Sequence, residues 1–431
     1  MDNRNSEAKE TKEVQKEEKN RLFGKKFGRF AISAAAVLLS CLVTFMTTYN
    51  VMQNAYRSEL AKLAESYAQK ETTDETLEYM KSIVAEYFYG EDSDWDESDG
   101  DDAVYRSYAE SLNDAYTEYM SPEEYAEHTE SMSGNFVGIG ILASYSDDQS
   151  AIVVLMPISG SPAEKAGIKK GDYITAVDGK TVAELGYNAA IDAVKGESGT
   201  TVGLTVLSDG TEKELTVERA AVESVSVIYK MSQNNRTAII TITQFDETTP
   251  SQFEAAVDSA VNDGASEIVF DLRGNPGGSL ESVLSVLSYI LPKDSTLIRI
   301  ISKDGEVTTR ESDSEHTVDL PMAILINGSS ASAAELFTSC LRDYDKAVIV
   351  GKKSYGKGCM QTIFPLPNGG AFKITTRLFT PPKGESYHGI GIYPDITVEA
   401  GDKLNETNKL LIDENDDNQL QAAISALLEN K

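Results

Sequence analysis

The chain has 431 residues, 41% of them hydrophobic, enough for two or three domains with cores of their own. A charged fraction of 25%, with 31 glycines and 12 prolines, excludes wholesale disorder and collagen-like repeats. Lys and Arg number 39 against 69 Asp and Glu, a formal charge of −30. So acidic a surface repels phosphates, and no nucleic-acid partner is expected. Cys41, Cys340 and Cys359 are too few for a disulfide framework and lack zinc-ligand spacing, so neither metal nor cofactor is expected.

The first 30 residues carry a net charge of +3, which leaves −33 for the remainder. Arg21, Lys25, Lys26 and Arg29 stand directly before a charge-free stretch, Phe30 to Tyr56. Its first 20 residues, Phe30–Tyr49, span about 30 Å as a helix, the hydrocarbon thickness of a bilayer. No A-x-A cleavage signal follows. The expectation is a cytoplasmic tail over 1–29 and an uncleaved single-pass helix over 30–49 in the cell membrane. The basic flank stays inside, and all that follows lies on the extracytoplasmic side.

Residues 50–130 carry apolar positions at helical spacing, among them Leu60, Leu63, Tyr67, Leu77, Met80 and Tyr87. They read as a helical N-terminal region, interrupted by an acidic run from Glu91 to Asp102. Asp92, Asp94 and Asp96 mimic the start of a calcium loop, but Glu97 stands where its glycine belongs and Ala103 where a carboxylate belongs. That run reads as a solvated loop. Ser121-Pro122-Glu123-Glu124 marks a helix start.

From residue 131 to 222 the texture changes to short β-type runs with glycine punctuation, as in Phe136–Ile141, Ala151–Leu155 and Thr201–Leu207. Between 223 and 400, buried strands (Ala238–Thr243, Ile268–Asp271, Met322–Ile326, Ala347–Val350) alternate with helices over Gln252–Asn262, Leu280–Leu291 and Ser332–Arg342. Residues 401–431 are an acidic tail closing on an amphipathic helix, Leu420–Leu428. The whole reads as an α+β multidomain chain.

Three stretches of the third region can carry chemistry. Asp271-Leu-Arg-Gly-Asn-Pro-Gly-Gly278 follows a buried strand, and its glycines free backbone N–H groups to face an oxygen, though an ordinary strand-to-helix turn also fits. Asn327-Gly-Ser-Ser-Ala-Ser332-Ala-Ala-Glu335 puts serines at a helix start, where the helix dipole favours negative charge and where ordinary caps also sit. Ser354-Tyr-Gly-Lys357-Gly-Cys359-Met-Gln361, if extended, points Lys357, Cys359 and Gln361 to one face. A lysine serves as general base only when burial lowers its pKa. The three histidines form no H-E-x-x-H motif, and no G-x-S-x-G elbow occurs. Ser354-x-x-Lys357 formally fits the S-x-x-K of penicillin-binding acyltransferases, without their other elements.

In combination the three stretches resemble the motifs of the carboxyl-terminal processing, or tail-specific, proteases, and Phe136–Ile141, Ser161–Gly167 and Gly171–Gly179 resemble that family's PDZ domain. The resemblance implies a PDZ domain over 131–222 and a crotonase-like α/β protease core over 223–400. It implies Ser332 as nucleophile, Lys357 as general base and Gln361 as the residue holding the lysine amine. It also implies an oxyanion hole from the Ala333 amide and one from Gly277 or Gly278. Ser329 and Ala334 depart from the usual motif without touching these positions. Asp343 stands where some relatives have an acid. In the PDZ domain, Phe136, Val137, Gly138, Ile139, Gly140 and Ile141 would receive the carboxylate of a protein or peptide substrate with an apolar C-terminus. The family likeness further implies gating by PDZ occupancy and a homodimer built by terminal helices. A membrane-anchored PDZ scaffold with an inert core, and acyl transfer by Ser354, are the competing readings.

Overall fold

The strands of the third region are apolar along their whole length, and the structure buries them on both faces. It is a computed structural model that describes residues 97 to 429, besides positions 48, 51, 52, 58 and 81. The cytoplasmic tail, the apolar segment 30–49 apart from position 48, and nearly all of 50–96 lie outside the described residues. Among those described, no helix is long and apolar enough to cross a membrane. Ser98–Ile363 and Gly370–Lys431 form one compact unit.

The continuous described chain opens with α1 (Glu97–Glu110), β1 (Glu118–Met120) and α2 (Pro122–Ser133). The acidic run read as a loop is therefore helical from Glu97 on. Asp102 accepts a hydrogen bond from Tyr119 Oη at 2.7 Å. Ser121 caps α2 through a reciprocal capping box with Glu124, as its sequence predicts. The short strand β1 escapes sequence reading because three residues show no period.

The second region begins with β2 (Asn135–Gly138), β3 (Ile141–Ser146), β4 (Ala151–Pro157), α3 (Pro162–Lys165), β5 (Tyr173–Val177) and β6 (Lys180–Thr181). It continues through α4 (Val182–Leu185), α5 (Tyr187–Val194), β7 (Thr201–Ser208), β8 (Thr211–Glu218) and β9 (Ala220–Glu223). Its sheet runs β3-β4-β5-β7-β8, so β3 is an edge strand; β2 pairs instead with β9. The Phe136–Ile141 run is thus not one strand. It breaks at Ile139–Gly140, where Gly140 takes φ +78° and an added Cβ would lie 2.5 Å from Ser161 Cβ.

The core comprises β10 (Val227–Met231), β11 (Thr237–Ile242), α6 (Thr249–Asn262), β12 (Glu267–Asp271), α7 (Leu280–Ile290), β13 (Thr296–Ser302), β14 (Val307–Glu311), β15 (Met322–Ile326) and α8 (Ala333–Asp343). After these come β16 (Ala347–Gly351), β17 (Cys359–Pro365), β18 (Ala371–Thr380), β19 (Ile396–Thr397), α9 (Asp402–Glu406) and α10 (Asn418–Glu429). One sheet has the order β10-β11-β12-β15-β16-β19, parallel except for β10. Strand alternation sorts its residues: Ile240, Ile268, Phe270 and Ile324 pack under α6, α7 and α8, whereas Ile239, Val269, Leu325 and Val350 meet Leu420, Ile424 and Leu427 of α10. Phe253 and Phe270 stack at 5.7 Å, and Phe270 meets Phe337 edge-on at 5.2 Å. Each such fully buried ring contributes about 2–3 kcal/mol. A second sheet runs β1-β18-β13-β14. The parallel strands β12 and β15 end side by side, which brings the first two motif loops together.

Candidate active site

The loops after β12 and β15 are stitched to each other by main-chain and side-chain bonds. Asn275, fully buried, donates from Nδ2 to Ile242 O at 2.9 Å and accepts the Gly277 N–H at 2.8 Å, while its carbonyl accepts the Ala331 N–H at 3.0 Å. Ser330 Oγ donates to Leu272 O at 2.7 Å, and Gly274 N–H donates to Asn327 Oδ1 at 3.0 Å. The approach is close. A Cβ on Gly277 would lie 2.8 Å from Ser332 Cβ, and one on Gly278 would lie 2.1 Å from Phe245 O. Glycine is required at both for that reason.

Ser332 stands at the N-terminus of α8 with φ +54° and ψ −113°, a conformation that costs a residue bearing a Cβ about 1–3 kcal/mol. Its N–H donates to Glu335 Oε2 at 2.9 Å. Glu335 has no solvent exposure, and its carboxyl group takes three more donors. Ser354 Oγ and the Gly356 N–H reach Oε1 at 2.5 and 2.6 Å, and the Lys357 N–H reaches Oε2 at 2.7 Å. One buried side chain thereby fixes the main chain of the serine loop and that of the lysine loop.

Ser332, Ala333, Gly277, Gly278, Lys357 and Gln361 all line one cavity of about 530 Å³. Among the described residues the Ala333 and Gly278 amides have no protein acceptor, whereas the Gly277 N–H is taken by Asn275. Gly278 is therefore the glycine able to act with Ala333 on a developing oxyanion. Lys357 is half-buried, and burial lowers its pKa; the nearby Lys373 ammonium pushes the same way, against Cys359, Glu118 and Asp114. Its Nζ stands 4.9 Å from the centroid of the Tyr116 ring, in cation–π range.

Gln361 is placed differently from the expectation. Its Nε2 donates to Cys359 Sγ at 3.2 Å and to Thr375 Oγ1 at 3.1 Å, and among the described residues no hydrogen bond joins its side chain to the Lys357 amine. The reason is local: β17 begins at Cys359, so strand alternation pairs Gln361 with Cys359, and Lys357 lies before the strand. Cys359 lines the cavity, and burial pushes its thiol pKa up. Asp343 is not in the cavity lining; its Oδ2 accepts the Lys383 N–H at 2.8 Å. Ser354 is buried, donating to Glu335 and accepting the Ile392 N–H at 2.6 Å, which leaves it no part as a nucleophile.

Four residues that hold the site were not singled out from the sequence: Glu335, Asn275, Tyr116 and Thr375. For Glu335 a signal existed, the S-x-x-E spacing of a capping box from Ser332. Tyr116 and Thr375 belong to segments far apart in the chain, and no local pattern joins them.

A second cavity, of about 290 Å³, lies between the free edge of β3 and α5. Phe136, Gly138, Ile139, Gly140 and Ile141 line it with Ala143, Tyr187 and Ile191; Val137 does not. The Ile139 and Gly140 amides have no protein acceptor among the described residues, while the Ile139 carbonyl accepts from Ala163 N–H and that of Gly140 from Ile158 N–H. An edge strand, an apolar helix face and two free amides suit an extended chain terminus.

Residues 236–398 match peptidase family S41, and residues 137–218 match a PDZ domain. The chain is 33% identical over 379 residues to the "Probable CtpA-like serine protease" of Staphylococcus aureus (strain COL), covering 87% of this chain and 73% of that one. It is 37% identical over 291 residues to the protein of the same name from Staphylococcus haemolyticus (strain JCSC1435), covering 67% and 58%. The chain spans less than two thirds of the length of the first curated relatives it matches, 58% and 63%. An S41 protease structure from Bacteroides fragilis NCTC 9343 superposes with a TM-score of 0.54 at 18% identity, over 76% of this chain and 90% of that one, a likeness of fold.

Proposed function

The chain belongs to peptidase family S41, with a PDZ domain ahead of the peptidase core, and we propose that it is a membrane-anchored extracytoplasmic serine endopeptidase using Ser332 and Lys357. The observation that carries this reading is the single cavity holding both residues, with their amides on one oxygen of Glu335. The anchor rests on the charge-free segment 30–49 and its basic flank.

In this mechanism neutral Lys357 takes the Ser332 hydroxyl proton as Oγ bonds to the scissile carbonyl carbon. The carbonyl oxygen becomes an oxyanion received by the Ala333 and Gly278 amides, and one such donor is worth about 10²–10³ in rate. Collapse breaks the C–N bond, and the lysine ammonium gives its proton to the leaving amine. Water then attacks the acyl carbon as Lys357 takes its proton; collapse breaks the C–Oγ bond, the lysine ammonium returns that proton to Ser332 Oγ, and the acid product leaves. Substrates are proteins or peptides whose apolar C-terminal residues add to β3 and whose carboxylate meets the Ile139–Gly140 amides.

The test is cleavage of an unfolded reporter with an apolar C-terminus by the full chain in detergent micelles. The parent cuts, and Ser332→Ala and Lys357→Met do not. Equal cutting by Ser332→Ala overturns the nucleophile assignment. Binding of the reporter tail without cutting by the parent instead supports an inert, tail-binding scaffold.

A further inference from the structure

The cavity beside β3 contains a charge that the carboxylate loop alone does not explain. Lys195 is the residue that ends α5, and its Cα lies 4.0 Å from where a Cβ on Gly138 would stand, at the base of the Ile139–Gly140 loop. Lys195 lines the same cavity as the loop. Its ammonium pairs at 3.7 Å with Glu130 of α2, an element outside the β3–β8 sheet, and the two side chains are 38% and 40% exposed. A pair so open to water and so long is weakly held. It is readily exchanged for a better-placed anion.

From this we infer that Lys195 reads the substrate's terminal carboxylate and that Glu130 occupies the same ammonium as a resident competitor until a chain terminus displaces it. The inference rests on the proposed tail-binding role of this cavity. A terminal carboxylate entering between β3 and α5 meets three groups at once, the two free amides and the Lys195 ammonium, whereas Glu130 reaches only the ammonium. The exchange therefore favours the incoming chain. It also bears on the catalytic cavity. Helix α2 supplies His128, Ser131 and Met132 to the wall of that cavity, and Ser131 and Gln244 line both cavities. Releasing Glu130 from Lys195 frees the one ion pair that ties this helix to α5 among the described residues.

The experiment measures peptide binding to the full chain in detergent micelles by fluorescence anisotropy. Ser332→Ala is the background, so that nothing is cleaved. The probe is a labelled ten-residue peptide with an apolar C-terminus, prepared as the free acid and as the amide. The expected result is a preference for the acid that Lys195→Gln lowers by about fivefold, the size of one exposed ion pair, and that Lys195→Arg retains. Glu130→Gln should tighten acid binding by a similar factor while leaving the amide unchanged. Amide binding thus reports that each variant is folded. An acid preference unaltered in Lys195→Gln, or acid binding unaltered in Glu130→Gln, overturns the inference and leaves the tail-binding reading standing. Equal binding of acid and amide by the background protein overturns both.

Discussion

Ser332 and Lys357 are joined through a single atom: Glu335 Oε2 accepts the N–H of the first at 2.9 Å and of the second at 2.7 Å. Their side chains approach from different elements, the start of α8 and the turn before β17. The spacing of the Ser332 and Lys357 main chains is thus set around one buried carboxyl group.

Glu335→Ala would leave four donors without their acceptor inside the core. We expect a loss of about 3 kcal/mol or more of stability together with loss of cleavage. Glu335→Gln keeps one acceptor oxygen but turns an NH₂ toward two of the donors. Cleavage should fall by about 10²-fold with a smaller drop in melting temperature. Thermal melts beside kcat for the two variants test this, and a Gln variant with parental kcat would remove Glu335 from the positioning of the site.

The backbone of Ser332 gives a second expectation. At φ +54° and ψ −113° a Cβ is unfavourable, and glycine is not. Ser332→Gly should be more stable than Ser332→Ala by about 1 kcal/mol, the relieved strain less the entropy that glycine adds to the unfolded chain. Both variants should be inactive. Chemical denaturation decides it: equal midpoints would mean that the turn stores no strain.

Much of this was legible in the residues, and what was missed has a common cause. Uninterrupted apolar runs located β11, β12 and β15 within a residue, because strands buried on both faces carry no polar alternation to confuse them. The Ser121 cap was equally plain, since a cap acts on its own neighbours. Tyr116 over Lys357 was not, because the contact spans 241 positions and depends on β1 pairing with β18. Gln361 was assigned by motif likeness to the lysine amine, while the pleat of β17 turns its amide to Cys359 and Thr375. Local chemistry can be read along the chain; long-range register cannot.

Gly278 separates the oxyanion role from simple packing. A Cβ there would meet Phe245 O at 2.1 Å, so Gly278→Ala must move the loop that carries the amide. Cleavage should fall by at least about 10²-fold, the cost of losing one oxyanion donor, and KM should change little. Gly274 also has a positive φ but open space around it, so Gly274→Ala is the control for backbone strain without a clash. A larger fall in kcat for Gly274→Ala than for Gly278→Ala would contradict the assignment.

The pH dependence follows from the environment of Lys357. The proposed mechanism needs the neutral amine, so kcat/KM should rise with pH through the Lys357 pKa and flatten above it. Burial and the Lys373 ammonium lower that pKa, so the rise should be centred below the ordinary lysine value of about 10.4. Removing the neighbouring charge with Lys373→Met should raise the Lys357 pKa and move the profile toward higher pH; an unmoved or oppositely moved profile would exclude the coupling. Stability carries the same sign. A lysine whose folded pKa is depressed opposes folding below its unfolded pKa, by an amount that grows as pH falls to the folded pKa and stays constant below it. Its stabilising share is complete above about pH 10.4 and is lost as pH falls through the folded pKa. At neutral pH the buried Lys357 amine therefore weakens the fold. Lys357→Met should abolish cleavage and raise the melting temperature, and a melting temperature below the parent's would show that the Tyr116 contact outweighs the burial of the amine.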